Sequence, residues 1–291
     1  MEFIPVDLRA AITATLAALM FATMGVAVRF ASAELPNEMV VFLRSFFGLI
    51  FLLPWIYHHK VISLATIRFY GHLSRSLAGL AAMYCFFYAI ANLQLAEAIL
   101  LNYTAPIFIS VIALVWLGEK VSGKILLAIV TGFAGVCLIL KPGYNVISQA
   151  AWIGLASGML AALAMVSIRN LSTTEPTIRI VFYYSVITTV VSAIPLIWYW
   201  QTPDLQTLTI MVVAGLVASL GQLLLTYSYS HAPAARIGPY TYATVVFAAV
   251  YGWIFWSEKP DVLTLSGAVL VIFAGIIALH TRPVPQIIDP E

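Results

Sequence analysis

Three arginines stand inside long apolar segments of the chain, where an isolated charge is unfavourable. Arg44, Arg75 and Arg236 are each followed by apolar or small residues. A charge at membrane depth costs about 2.5–3.5 kcal/mol on insertion scales, so it usually faces a cavity or a partner. Because a guanidinium can hold a carboxylate through two hydrogen bonds, we interpret Arg44 as a substrate contact or a fixed brace. Arg75 and Arg236 lie nearer the segment ends, which favours gating or snorkelling to the interface.

Polar and aromatic side chains form stripes on two of the segments. One stripe holds Arg236, Tyr240, Thr244, Phe247 and Tyr251, and the other holds Gly215, Ser219, Gln222, Thr226 and Tyr229. In a helix each set shares one face, and a polar face is not expected to meet lipid tails. The stripes therefore predict a polar cavity, with Gln222, Tyr240 and Thr244 as substrate contacts.

The stretch from Tyr84 to Pro106 supplies the remaining candidates. Pro106 removes a backbone hydrogen bond and frees the carbonyl of Asn102, which suits a binding site or a hinge. Glu97 either complements a helix dipole or serves as a protonatable coupling site. The predicted substrate contacts here are Tyr84, Tyr88, Asn102 and Tyr103, while Glu97 and Pro106 are predicted to act in gating or coupling. Tyr, Gln, Asn and Arg together favour a zwitterionic or anionic organic solute over a bare ion.

The elements that must position these residues are membrane-spanning helices. With 62% hydrophobic and 9% charged residues, the 291-residue chain has too little polar surface to cover a water-soluble globule. The apolar segments lack the period-two alternation of strands, and each is long enough to span as a tilted helix. We predict an all-α integral membrane protein of ten transmembrane helices, at 10–31, 38–56, 70–91, 95–117, 124–140, 150–168, 178–200, 207–229, 234–256 and 262–280.

The distribution of basic residues predicts the orientation. A cytoplasmic N-terminus places eight basic residues inside (Arg9, Lys60, Arg68, Lys120, Lys124, Arg169, Arg179 and Arg282) and three outside (Arg29, Lys141 and Lys259). Because ten is an even number of spans, the C-terminal tail, residues 281–291, lies in the cytoplasm with the short N-terminus, residues 1–9. We expect a multi-pass protein of the cell inner membrane, and a net charge of +2 gives no support for a nucleic-acid partner.

The chain contains an internal repeat. A shift of 139 or 140 residues places Tyr88 on Tyr227, Tyr103 on Tyr242 and LGEK (117–120) on WSEK (256–259). Two five-helix halves, 10–140 and 150–280, each have an odd number of spans, so the second must be inverted relative to the first. Inverted repeats are a recurring architecture of secondary transporters, with the substrate near the midplane between the halves. The alternative is a duplication kept only for stability.

The motifs resemble those of EamA-type permeases in the drug/metabolite transporter superfamily. The resemblance rests on FLRSF (42–46), NYTAPIF (102–108), LGEK (117–120) and TGFAGVCLIL (131–140), and extends over residues 10–280. It implies export of amino acids or their derivatives, with S-adenosylmethionine, vitamins, metallophores and drugs as the cargo of related proteins. The second half departs from the pattern, with Tyr184 in the place of Arg44 and Val245 in the place of Pro106.

Other classes of function find less support in the sequence. The predicted spans lack a nucleophile with a base, paired carboxylates or clustered metal ligands, so we expect neither an enzyme nor a cofactor. The chain has no GxxxxGK[ST] phosphate loop and no filter-like loop, although a receptor or scaffold remains open. The expected partners are a small-molecule substrate, membrane lipids and protons as a candidate coupling ion. Gly132, Gly135, Gly154 and Gly158 predict close helix contacts, within a monomer or across a homodimer.

Overall fold

The structure, a computed structural model, describes residues 6–58, 65–105, 107–108, 112, 123–140, 148–171, 174–231 and 240–280. These ranges contain helices and no strand, which confirms the all-helical class. The helices are α1 Val6–Ala31, α2 Asn37–His58, α3 Phe69–Asn92, α4 Leu95–Asn102, α5 Gly123–Leu140, α6 Gln149–Leu171, α7 Thr177–Ala193, α8 Leu196–Tyr199, α9 Leu205–His231, α10 Ala243–Trp256 and α11 Val262–His280.

Five stretches within these helices are long and apolar enough to cross a membrane. They are Arg9–Ala31, Asn37–Pro54, Phe69–Asn92, Gln149–Ile168 and Leu205–Leu225. Shorter apolar helices cover Ile129–Ile139, Ile178–Ala193, Ala243–Trp256 and Val262–Ala274. Each of the ten predicted segments thus coincides with at least part of a helix. Parts of the fourth and ninth predicted segments lie outside the described residues.

The seventh predicted segment, 178–200, is not one continuous helix. The chain forms α7 up to Ala193 and resumes as the short helix α8 at Leu196. Pro195 lies between them, and its ring nitrogen has no N–H to donate to a carbonyl of the preceding turn. Hydropathy alone did not predict this break, because Pro195 is flanked by apolar residues on both sides.

The helices of the two halves pack on one another in an exchanged pattern. The first helix of each half packs on the third helix of the other, α1 on α9 and α6 on α3. The second, fourth and fifth helices each pack on their own counterparts, α2 on α7, α4 on α10 and α5 on α11. This exchanged pairing is the one expected when two similar halves are related by a two-fold axis. Tyr103 and Tyr242, equivalent positions in the repeat, meet with ring centroids 5.8 Å apart.

Small residues bring the paired helices close together within the monomer. A Cβ atom at Gly267 of α11 would lie 2.6 Å from the carbonyl oxygen of Gly135 in α5. A Cβ atom at Gly158 of α6 would lie 2.7 Å from the carbonyl oxygen of Leu101 in α4. Of the two uses predicted for the glycines, contact within one chain is therefore observed for Gly135 and Gly158.

The close approach at Gly267 leads to a prediction about stability. We expect Gly267→Ala to destabilise the protein by about 1–3 kcal/mol, because two helix backbones would have to separate. Thermal unfolding of the detergent-purified variant measures the effect. Gly123→Ala is the matched control, since a Cβ atom there meets no atom of the described residues within 4 Å. Equal unfolding temperatures for the two variants would contradict the prediction.

Candidate functional site

A cavity that is partly open to its surroundings lies between helices of both halves. Its walls come from α2 and α3 of the first half and from α7 and α9 of the second. The polar side chains that line it are Arg44 and Ser45 from α2, Arg75 from α3, Tyr184, Ser185 and Thr188 from α7, and Ser219 and Gln222 from α9.

The repeat explains why polar residues meet at this place. Since α2 and α7 are equivalent helices, a two-fold relation turns the same face of each toward the shared space. Ser45 and Ser185 occupy equivalent positions and both line the cavity, as do Arg44 and Tyr184. The two halves therefore have the same residue at Ser45 and Ser185 but different residues at the neighbouring position, Arg44 and Tyr184.

The two arginines of the cavity lack hydrogen-bond partners at several buried atoms. Arg44 is 9% exposed and its Nε has no partner among the described residues. Nε and Nη1 of Arg75 are likewise without a partner in this part of the chain. Among the described residues that line the cavity there is no aspartate or glutamate. The described lining therefore carries positive charge that none of its own side chains neutralises.

Tyr184 holds the guanidinium of Arg75 in place. The Arg75 Cζ lies 3.7 Å from the centroid of the Tyr184 ring, a distance typical of a cation–π contact. Gly79 leaves room for this stack, because a Cβ atom there would lie 3.1 Å from Tyr184 Cε2 and 3.2 Å from Arg75 Nη1. Arg75 is thus oriented within the helix bundle.

The hydroxyl groups of the cavity can act as acceptors. Ser219 Oγ donates to the carbonyl of Gly48 at 3.0 Å, and Thr188 Oγ1 donates to the carbonyl of Tyr184 at 2.7 Å. Since each proton is already used, the oxygen lone pairs face new donors. The amide of Gln222 offers both an acceptor and donors. Guanidinium donors and oxygen acceptors in one cavity suit a solute that carries a carboxylate and an ammonium group.

Of the residues predicted from sequence, Arg44, Arg75 and Gln222 come together in this cavity. The structure places several others in contacts between helices. Tyr103 Oη lies 2.9 Å from Thr244 Oγ1, and Asn102 Nδ2 donates to Ser157 Oγ at 3.0 Å. Tyr240 is 45% exposed. These residues do not line the cavity, and their role in binding stays a prediction.

The other predicted residues also lie away from the cavity or outside the described residues. Tyr84 is half-buried, with a hydroxyl that has no hydrogen-bond partner among the described residues, and the carbonyl of Tyr88 accepts from Asn92 at 2.8 Å. Glu97 accepts a hydrogen bond from Thr264 of α11 at 3.1 Å, which ties the start of α4 to the last helix. The remaining two predicted residues, Pro106 and Arg236, lie outside the described part of the chain.

The sequence analysis did not select Tyr184, Ser185 and Thr188 as binding residues. A signal was present for Tyr184, since it stands where the repeat would place a second arginine. Ser185 had a weaker one, because it repeats Ser45 after 140 residues. The repeat gave no signal for Thr188, because the equivalent position in the first half is Gly48, which has no polar side chain.

An ion pair joins the ends of α1 and α10 to the α3–α4 turn. Arg29 Nη2 lies 2.6 Å from Glu258 Oε1, and the guanidinium lies 4.6 Å from the centroid of the Trp256 ring. Arg29 Nη1 donates to the carbonyl of Leu93 at 2.8 Å, and Glu258 Oε2 accepts from the N–H of Leu95 at 2.9 Å. The pair therefore satisfies backbone groups on both sides of the turn.

A second polar cluster joins the start of α3 to the α6–α7 connection, with Glu175 at its centre. Thr66 Oγ1 donates to Glu175 Oε1 at 2.6 Å, and Arg179 forms an ion pair with the other carboxylate oxygen. His72 Nε2 lies 3.9 Å from the same carboxylate. The hydrogen bond from Thr66 lowers the pKa of Glu175 below its usual 4.5, and the hydrogen bond and the charge of Arg179 act in the same direction, although desolvation opposes the shift.

The lowered pKa of Glu175 predicts how stability depends on pH. A carboxylate whose pKa is depressed in the folded state contributes stability above its unfolded pKa and loses it as the pH falls through the folded value. We expect Glu175→Gln to lower the free energy of unfolding by about 1–3 kcal/mol at pH 7, and the difference from wild type to vanish at low pH, below the depressed folded value. Thermal unfolding across pH measures this, with the exposed Glu34→Gln as control. A difference that persists at low pH would contradict it.

The fold and the cavity define a class of protein. Apolar helices, two halves related by exchanged packing and a polar cavity between them are the architecture of a secondary transporter in a membrane. Comparison with known families makes this specific. The sequence profile of the EamA-like transporter family matches residues 8–141 and again residues 148–280. The chain therefore belongs to the EamA-like transporter family, and the resemblance found in its motifs is confirmed.

Several characterised transporters are similar to the chain over most of its length. A pseudopaline exporter of Pseudomonas aeruginosa is 36% identical, over 92% of this chain and 95% of its own. An S-adenosylmethionine uptake transporter of Rickettsia bellii is 28% identical over 87% of each chain. A riboflavin transporter of Brucella anthropi is 25% identical over 88% of this chain and 93% of its own. A crystal structure with 17% identity matches with a TM-score of 0.64, covering 92% of this chain and 96% of the other, which supports the fold.

Proposed function

We propose that the protein is a secondary transporter of the inner membrane that exports a small amino-acid-derived metabolite from the cytoplasm. The observation that carries the proposal is the cavity between the halves, where Arg44 and the acceptor oxygens of α7 and α9 lie together. We propose the orientation that the distribution of basic residues predicts, in which both termini are cytoplasmic.

The cavity suits the two charged groups of an amino acid. The planar fork of Arg44 binds a carboxylate, and its burial strengthens the interaction by excluding water. The ammonium group is bound by the lone pairs of Ser219 and by the amide oxygen of Gln222. These contacts orient the solute between the first-half wall and the second-half wall.

Transport follows from the fact that both halves contribute to one cavity. When the halves rock about the two-fold axis, the same residues face one side of the membrane and then the other. The chain has no phosphate loop for ATP, so a solute or ion gradient supplies the driving force. Protons are the candidate coupling ion, with Glu97 as the residue proposed for coupling.

Export is favoured over the uptake of a nucleotide-like cation. The relative with the higher identity is an exporter. S-Adenosylmethionine carries a sulfonium and an ammonium against one carboxylate, so its net charge is positive. A lining with two arginines and, within its described part, no acidic residue disfavours such a cargo.

A flux experiment tests the proposal. The purified protein is reconstituted into proteoliposomes, and these are loaded with radiolabelled amino acids, among them L-glutamate and L-glutamine. Efflux of the label is then measured with and without a pH gradient. We expect saturable efflux that competes with unlabelled solute. Absence of saturable flux for every amino acid and dipeptide tried, or a steady ion current that does not saturate, would overturn the proposal.

A further inference from the structure

We propose that the transported solute carries two anionic groups, and that Arg44 and Arg75 each bind one of them. The inference rests on the proposed function and narrows its substrate class from amino-acid-derived metabolites to amino-dicarboxylic and related acids. It also gives Arg75 a role in specificity beyond the gating or snorkelling predicted from sequence.

The first step is that both arginines are available to a ligand. They come from neighbouring helices, α2 and α3, and line the same cavity. Neither forms an ion pair with a carboxylate within the described part of the chain, and three of their buried nitrogen atoms have no hydrogen-bond partner there. Both charges line one cavity whose described part contains no carboxylate. A buried pair of like charges is unfavourable until anions reach it.

The second step is that Arg75 is fixed where a ligand can use it. A snorkelling arginine extends along the surface toward water. The guanidinium of Arg75 instead lies 3.7 Å from the centre of the Tyr184 ring, on a helix of the other half. The ring contacts one face of the guanidinium plane, and two nitrogen atoms of that plane, Nε and Nη1, have no hydrogen-bond partner among the described residues. Tyr184 thus acts as a positioning residue.

The third step is a comparison of charges. An ordinary amino acid is neutral overall, so its arrival leaves the two positive charges of the lining uncompensated. An amino acid with a second carboxylate brings a net charge of −1, and a dicarboxylate without an ammonium group neutralises both arginines. Closure of the cavity around the solute removes water and raises the cost of uncompensated charge. The lining therefore discriminates in favour of the second carboxylate.

Matched pairs of solutes test this inference. L-Glutamate and L-glutamine differ by one carboxylate against an amide of the same size, as do the dipeptides Gly-Glu and Gly-Gln. We expect the acid of each pair to bind the purified protein at least about tenfold more tightly than the amide, as measured by thermal stabilisation and by inhibition of flux. Equal binding within both pairs would overturn the inference.

Variants separate the two arginines. In Arg75→Gln we expect the preference for the acid to disappear, so that the acid and the amide of each pair bind equally. Tyr184→Phe retains the aromatic ring that contacts Arg75, so we expect it to retain the preference for the acid. Tyr184→Leu removes the ring without removing a charge, and we expect it to weaken that preference. An unchanged preference in Arg75→Gln overturns the assignment.

The proposed function and this inference fail in different ways. If glutamine and glutamate show equal, saturable flux, export of amino-acid-like solutes stands and the dianionic class is wrong. If no solute of either pair binds and none is transported, both fail. Unfolding temperatures of the variants in the absence of solute show whether each one folds.

Discussion

Arg44→Gln is expected to lower kcat/KM for L-glutamate flux by about 100-fold. The guanidinium is buried in the cavity between the halves, and glutamine keeps polarity there but loses both the charge and the fork that hold a carboxylate. The measurement is initial efflux from proteoliposomes loaded with a range of glutamate concentrations, with protein incorporation determined for each variant.

Two further variants make the result interpretable. Arg44→Lys keeps a positive charge without the planar fork, so an intermediate loss of about tenfold identifies bidentate binding. Lys259→Gln changes an exposed charge far along the chain and is expected to transport like wild type. A well-folded Arg44→Gln protein with wild-type flux would show that Arg44 is the fixed brace considered from the sequence.

Glu258→Ala is expected to produce the largest loss of stability, about 3 kcal/mol. The substitution leaves the Arg29 guanidinium without its carboxylate and the N–H of Leu95 without its acceptor, and both groups are largely buried. Thermal unfolding of the purified protein measures the change.

Lys259→Ala is the matched control, because Lys259 is the next residue and is exposed. The double variant Arg29→Leu with Glu258→Leu removes both charges, so it is expected to recover part of the loss. A Glu258→Ala protein as stable as the Lys259→Ala protein would show that the pair contributes nothing to holding the α3–α4 turn.

The helices were predictable from sequence because lipid imposes a simple requirement on composition. Segments such as Leu205–Leu225 are apolar over a length that spans the bilayer, and every backbone group must be satisfied within the helix. The repeat of Tyr103 as Tyr242 predicted two related halves. The break before α8 was missed, because it depends on the single residue Pro195 within an apolar run.

The site was less predictable than the fold, because it depends on which helix faces meet. Arg44 and Gln222 were found because a charge or an amide deep in an apolar segment is unusual. Ser185 and Thr188 were missed, since a hydroxyl in a helix can bond to the carbonyl of the preceding turn and needs no cavity. Asn102 was selected for its position near Pro106, yet its amide bonds to Ser157 on α6.

The exchanged packing of the two halves has a consequence for biosynthesis. During translation α3 enters the membrane well before its main partner, α6. The partner of α1, α9, is synthesised only after most of the chain has been made. The first half alone therefore lacks the surfaces that bury its first and third helices. Separately expressed halves should be degraded when produced singly and should accumulate when produced together, because neither half is an independent folding unit.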